Sequence, residues 1–215
     1  IKKLGTEQMR AFRDRYRIPV KDEHLDDAPF YKPPEDSPEI RYLHERRKAL
    51  GGYLPARRRD CPPLEIPDLE IFRPILDGSK DREMSTTMCF VRLLTFLTRD
   101  ENIGSRIVPI VPDEARTFGM EALFRKAGIY SSEGQKYRPV DSSTLMPYRE
   151  AEDGQILQEG ICEAGAMASF LSAGTAYAVH GVPTIPFYVF YSIFGFQRVG
   201  DMIWSCGDML ARGFL

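Results

Sequence analysis

Apolar residues are sparse over the first sixty or so positions and dense after them, and the two regimes predict different architectures. In TEQMRAFRDRYRI, Met9, Phe12 and Tyr16 recur at spacings of three and four, which predicts a short helix with Thr6 as its N-cap. The next stretch carries Pro19, Pro29, Pro33, Pro34 and Pro38 and keeps no regular period. Ser37 then caps a second helix, PEIRYLHERRKAL, which Gly51 and Gly52 end. The run LPARRRDCPPLEIPD reads as a linker, with Pro62 and Pro63 marking a boundary between residues 1–62 and 63–215.

Beyond that boundary helical and strand patterns alternate. SKDREMSTTMCFVRLLTFLTRD predicts a long helix with Met84, Met88, Val91, Leu94 and Phe96 or Leu97 on one side. An apolar strand, Ile107 to Val111, runs into Asp113 and Glu114, and GMEALFRKAGIY predicts a helix stopped near Gly128. Residues 131–154 form a polar excursion longer than an ordinary connection, and such loops tend to be functional. Then come the strand QILQEG, a helix from Glu163 to Ala178, the strand TIPFYVFY and a last helix, FQRVGDMIWSCGDMLAR. The alternation predicts an α/β fold with a mostly parallel sheet flanked by helices. Ligands of such sheets sit off the C-terminal ends of the strands.

Three polar clusters share that edge: Asp113 with Glu114, Glu163, and the set Tyr191, Phe194, Phe196 and Arg198. Independent surface residues have no reason to coincide there. Each cluster also has a plain structural reading. Glu163 at a helix N-terminus is worth about 0.3–1 kcal/mol to the helix. Asp113 and Glu114 make a strand-end turn, with Asp113 capping the next helix. The rings compete with Tyr188, Phe190 and Ile193 for the core, and strand alternation decides which face the site. The neighbours of Glu163, namely Ile161, Cys162, Ala164, Gly165 and Ala166, offer no basic partner, so an elevated carboxyl pKa is expected there.

Composition narrows the possibilities. Over 215 residues, 43% are hydrophobic and 28% charged, an ordinary globular balance. The net charge of −2, from 29 basic and 31 acidic residues, supplies no reason to expect nucleic acid or an anionic membrane. Cys61, Cys89, Cys162 and Cys206 form no CxxC pair, which suits a reducing, cytoplasmic setting and predicts no metal site. No apolar run approaches the ~18 residues of a membrane helix. GxSxG, Walker, HExxH and GxGxxG motifs do not occur. Arg57, Arg58 and Arg59 read as a solvated turn, or an interface to a part of the protein outside this segment, ahead of a phosphate contact. The chain starts without methionine and its ARGFL terminus reads like the beginning of a strand, so a piece of a longer protein is expected.

The segments RIVPIVPDEARTFGMEALFR, GQILQEGICEAGA and IPFYVFYSIFGFQRVGD closely resemble the homodimeric, bacterial type of pyruvate dehydrogenase component, a thiamin-diphosphate decarboxylase. The likeness extends to RYLHERRKALGGYLPARR before the linker. It implies that residues 1–62 are the tail of a diphosphate-binding domain and 63–215 the first part of an aminopyrimidine-binding middle domain. It also implies roles: Glu163 bonds the aminopyrimidine nitrogen, Phe194 stacks on that ring and Tyr191 lines the substrate pocket. Asp113 and Glu114 lie near the thiazolium and pyruvate, with Arg198 close by. Implied partners are pyruvate, a lipoyl-bearing dihydrolipoamide acetyltransferase and a second subunit. The family's GDG…N motif for diphosphate and magnesium is missing, since Met202 follows Gly200-Asp201 and Met209 follows Gly207-Asp208. This segment alone is therefore expected to be inactive. A transketolase-like or deoxyxylulose-phosphate-synthase-like enzyme shares the glutamate but not the DEARTFGME and YSxFGFQR strings. A structural α/β subunit is the non-enzymatic alternative.

Overall fold

The computed structural model describes residues 4–53 and 60–215, and the chain divides into two compact units, Ile1–Ala56 and Arg57–Leu215. The cluster Arg57 to Arg59 lies outside the described residues.

In the first unit, helix α1 spans Thr6–Tyr16 and α2 spans Pro38–Ala49. The N-cap of α1 is Gly5, not Thr6: the Gly5 N–H donates to Gln8 Oε1 at 3.1 Å, while the Thr6 hydroxyl reaches Asp26 Oδ1 at 2.7 Å. That long-range bond outcompetes the local cap. Ser37 does cap α2, accepting from Ile40 N at 3.4 Å. Beyond α2, Gly51 and Gly52 take φ of +91° and +110°, a region other residues avoid.

The second unit holds the sheet. After the one-turn helix α3 (Arg73–Leu76), α4 covers Thr86–Arg99. This helix is shorter than its apolar pattern suggests, because Ser85 caps it by accepting from Met88 N at 3.1 Å. Met84 therefore precedes the helix, and only Val91, Leu94 and Thr98 are fully buried along it. Strand β1 is Ile107–Val111, followed by the one-turn helix α5, Glu121–Phe124. The regular helix ends at Phe124, but i→i−4 bonds from Ala127 N to Leu123 O and from Gly128 N to Phe124 O carry the helical turn on to Gly128. The φ of +67° at Gly128 stops it where the sequence predicts. Short strands β2 (Ile129–Tyr130) and β3 (Glu150–Ala151) pair in parallel and bracket the polar excursion. Next along the chain are β4 (Leu157–Gln158), α6 (Glu163–Val179), β5 (Ile185–Tyr188) and α7 (Gly195–Asp208), with a break in helical geometry at Val199.

The main sheet is wholly parallel, in the order β4-β1-β5, with Ile110 opposite Leu157 and Tyr188 and Val111 opposite Gln158. Strand β1 alternates between two cores, as its two-residue period requires. Ile107 and Val111 join Val91, Leu94 and Phe124 on one face, and Ile110 joins Ala166, Met167 and Phe170 on the other. Both faces of the central strand are thus covered, which explains its unbroken apolar run. Phe214 makes a further parallel bridge to Phe187, and their rings stack at 4.9 Å. Gly174 permits that crossing, since a Cβ there would lie 2.9 Å from Arg212 O.

Candidate active site at the strand edge

Three backbone hydrogen bonds stitch the strand ends together. Val189 N donates to Ile110 O at 2.9 Å, Glu159 N to Val111 O at 3.0 Å and Cys162 N to Pro112 O at 3.3 Å. Asp113 and Glu163 therefore each lie one residue from a directly bonded pair, and two of the three clusters converge through the main chain alone.

Glu163 opens α6, with Cys162 as N-cap, its Sγ accepting from Gly165 N at 3.3 Å. The Glu163 side chain is 9% exposed, buried under the first turn, where unpaired helix N–H groups favour a negative charge. Its partner is Arg198, whose Nη1 stands 2.6 Å from Oε1. This overturns two expectations: a basic partner exists, and the carboxyl is held below the usual range. The Arg198 hydrogen bond outweighs the desolvation that pushes the other way. Arg198 lies 35 residues along the chain and reaches back from the first turns of α7. Oε2 carries no hydrogen bond to another residue among the described ones, so the pairing engages one carboxylate oxygen.

The rings do not sort by strand alternation. Strand β5 ends at Tyr188, and a turn then leads into α7. Tyr188 is buried, with its hydroxyl 3.4 Å from Glu163 O, and desolvation raises its pKa to about 12. Phe190 packs into the core beside α6. Ile193, Phe196 and Tyr191 are all exposed, but among the described residues Phe196 forms no ring pair with Tyr191 or Phe194. Tyr191 and Phe194 remain, edge to face at 6.3 Å. The Arg198 guanidinium covers one face of Phe194 at 4.0 Å. Tyr191 also lies 5.0 Å from the Phe118 ring and donates to Asp113 Oδ2 at 3.2 Å.

Asp113 does not cap a helix through N2 or N3. Its Oδ1 takes the next N–H, that of Glu114, at 2.8 Å, and leads into a single 3-10 turn, Ala115–Phe118. Glu114 is exposed and lines a cleft of about 490 Å³ with Arg116, Tyr137, Val140, Asp141 and Tyr148. A contact path thus runs Asp113, Tyr191, Phe194, Arg198, Glu163, while Glu114 points to the cleft. Among the described residues no three His, Cys, Asp or Glu side chains are placed to hold a metal ion.

Pattern reading overlooked two residues before Glu163. Gln158 Oε1 accepts from Ala115 N at 2.8 Å and its Nε2 donates to Tyr148 Oη at 2.9 Å. Glu159 Oε1 accepts from Ser169 Oγ at 2.5 Å, fastening the strand end to α6. The available signal was polarity at the last positions of an otherwise apolar strand.

A carboxylate with one free oxygen, a phenylalanine beside it and a Tyr–Asp pair at a sheet edge suit a flat heterocycle carrying a hydrogen-bonding nitrogen. A ring stacked on Phe194 has to use the face that Arg198 leaves open, or displace the guanidinium. Comparison with known proteins bears on this directly. The chain is 58% identical to the pyruvate dehydrogenase E1 component of Pseudomonas aeruginosa, 52% to that of Cupriavidus necator and 49% to that of Escherichia coli. Each match takes in 100% of this chain but 24% of the relative, so the chain spans about a quarter of their length. The model of the pyruvate dehydrogenase E1 component middle domain matches residues 64–215. The chain belongs to the pyruvate dehydrogenase E1 component middle domain family.

Proposed function

We propose that this chain carries the aminopyrimidine-binding part of a thiamin-diphosphate-dependent pyruvate dehydrogenase. The whole enzyme would decarboxylate pyruvate oxidatively and pass the acetyl group to the lipoyl group of a dihydrolipoamide acetyltransferase. The observation that carries this reading is Glu163: a buried carboxylate in the first turn of α6, at the C-terminal edge of a parallel sheet, with an aromatic ring and a cation at its side. Family membership and the relatives' shared name support it.

In this reading the free Oε2 of Glu163 hydrogen-bonds a ring nitrogen of the cofactor, and sharing a proton with that nitrogen is its catalytic task. Arg198 holds the carboxylate ionised in the free site. Since a carboxylate and an unprotonated ring nitrogen are both acceptors, the shared proton would be taken up from solvent as the cofactor binds, with Oε1 keeping its guanidinium partner. Phe194 offers its open face to the ring. Tyr191, steadied by Asp113, lines the substrate pocket, and Glu114 stands at its outer edge. The cofactor, when bound, supplies the nucleophilic carbon and the electron sink. Diphosphate and magnesium ligands are assigned to sequence outside this segment, residues 1–62 to the tail of the domain bearing them, and the site to a homodimer. This segment alone is then inactive. The four free cysteines suit the cytoplasm as its location.

The full-length protein tests this. Thiamin diphosphate with magnesium should bind in calorimetry, and pyruvate, not a ketose phosphate, should reduce an artificial electron acceptor. Glu163→Gln or Glu163→Ala should lower turnover by about 10²-fold or more. Near-normal turnover by either variant sinks the reading.

A further inference from the structure

One side chain outside the contact path of the site governs the geometry of its acidic turn. Gln158 is the last residue of β4, opposite Val111, and both ends of its amide are engaged. Chemistry assigns its orientation: a backbone N–H only donates, so the atom facing Ala115 N is the carbonyl oxygen Oε1, and Nε2 is left to donate to Tyr148. The contacts continue into a closed ring. Tyr148 N donates to Asp141 Oδ2 at 3.1 Å, Asp141 pairs with Arg116, and Arg116 follows Ala115. The consecutive N–H groups of Glu114 and Ala115 are thereby both satisfied, by Asp113 and by Gln158.

Resting on the function proposed above, we infer that Gln158 is a positioning residue that sets the Asp113–Glu114 carboxylates relative to Glu163. The physical link is short. Gln158 holds the turn from one side, and its own chain is bonded to Val111 and Pro112 on the way to Glu163. The Asp113 contact to Tyr191, and through Tyr191 the placement of Phe194, depend on that turn staying down. Tyr148 is half-buried at the wall of the cleft, and its hydroxyl, raised to about 12 chiefly by desolvation, stays protonated beside the amide at neutral pH. Displacements of about 1 Å in such a scaffold cost as much as 10²-fold in rate.

The substitutions Gln158→Leu, Gln158→Glu and Tyr148→Phe separate positioning from mere folding in the full-length protein. Gln158→Leu leaves Ala115 N without its acceptor, and kcat for pyruvate should fall about 10- to 100-fold. Its thiamin diphosphate dissociation constant should change far less. Gln158→Glu keeps an oxygen for Ala115 and should recover most of kcat. Tyr148→Phe keeps the Ala115 tie and should lose less than Gln158→Leu. In the cofactor-free protein, hydrogen exchange at the Ala115 amide should accelerate in Gln158→Leu and not in Gln158→Glu. Wild-type kcat or unchanged Ala115 exchange in Gln158→Leu overturns the inference. So does a joint fall of kcat, cofactor affinity and unfolding midpoint without rescue by Gln158→Glu. If the wild-type protein itself fails to decarboxylate pyruvate, the functional reading and the catalytic part of this inference fall together. The exchange difference at Ala115 then reports the tie separately.

Discussion

Arg198 Nη1 lies 2.6 Å from Glu163 Oε1, and the same guanidinium sits 4.0 Å over the Phe194 ring, so one cation serves a buried carboxylate and an aromatic face together. The pairing dictates a pH dependence. Because the Glu163 carboxyl is held low, its contribution to stability is present above the unfolded value of about 4.3 and is lost as pH falls through the folded value. In Arg198→Met the burial of Glu163 remains while the cation goes. The unfolding midpoint of the full-length variant should then drop more at pH 7, where the lone carboxylate is charged, than at about pH 4. Equal losses at both pH values contradict the pairing.

Tyr148 and Tyr188 should show the opposite sign at the alkaline end. Burial raises both from 10.0 to about 12, so the folded state retains phenol protons that the unfolded chain releases. Stability from this source falls as pH rises from about 10 towards 12. Tyr188→Phe should flatten that fall, read as the urea midpoint against pH, and should remove one late-titrating phenol from the ultraviolet absorbance titration.

Gly154 ends the polar excursion against bare backbone. A Cβ there would stand 2.4 Å from Ile129 C and 2.5 Å from Tyr130 N, and main chain at a strand cannot step aside as a flexible side chain does. Gly154→Ala should destabilise by about 1–3 kcal/mol, the usual range for overpacking, measured by urea unfolding.

Ile110 is fully buried in the central strand, on the face that meets Ala166, Met167 and Phe170 of α6. Ile110→Ala should cost about 2–5 kcal/mol through lost transfer energy and the cavity left behind. Because α6 carries Glu163, the function proposed above requires thiamin diphosphate affinity of the full-length variant to fall as well. Calorimetry alongside unfolding checks both.

Local pattern carried far where the cause is local. The span of β1, the cap at Ser37 and the run of small residues that becomes α6 all follow from spacing and side-chain size, and the structure has them in place. The parallel sheet followed from alternation of elements, and the shared strand edge from the sheet. Where local and distant partners competed, pattern misled. Thr6 left its cap for Asp26, and Glu163 found in Arg198 a basic partner that its own neighbours do not offer.

By itself the sequence determined the α/β class and the parallel sheet, and it placed Asp113, Glu114, Glu163, Tyr191, Phe194, Phe196 and Arg198 at one strand edge. Those are consequences of period and polarity, which every residue carries with it. Only the tertiary structure decided the ionisation of Glu163, the exposure of Phe196 and the part played by Gln158. The first and last depend on partners distant along the chain: Arg198, 35 residues from Glu163, for the carboxylate, and Ala115, 43 residues from Gln158, for the amide. Spacing along a chain does not encode such meetings. They arise when the sheet brings the ends of three strands within hydrogen-bonding reach.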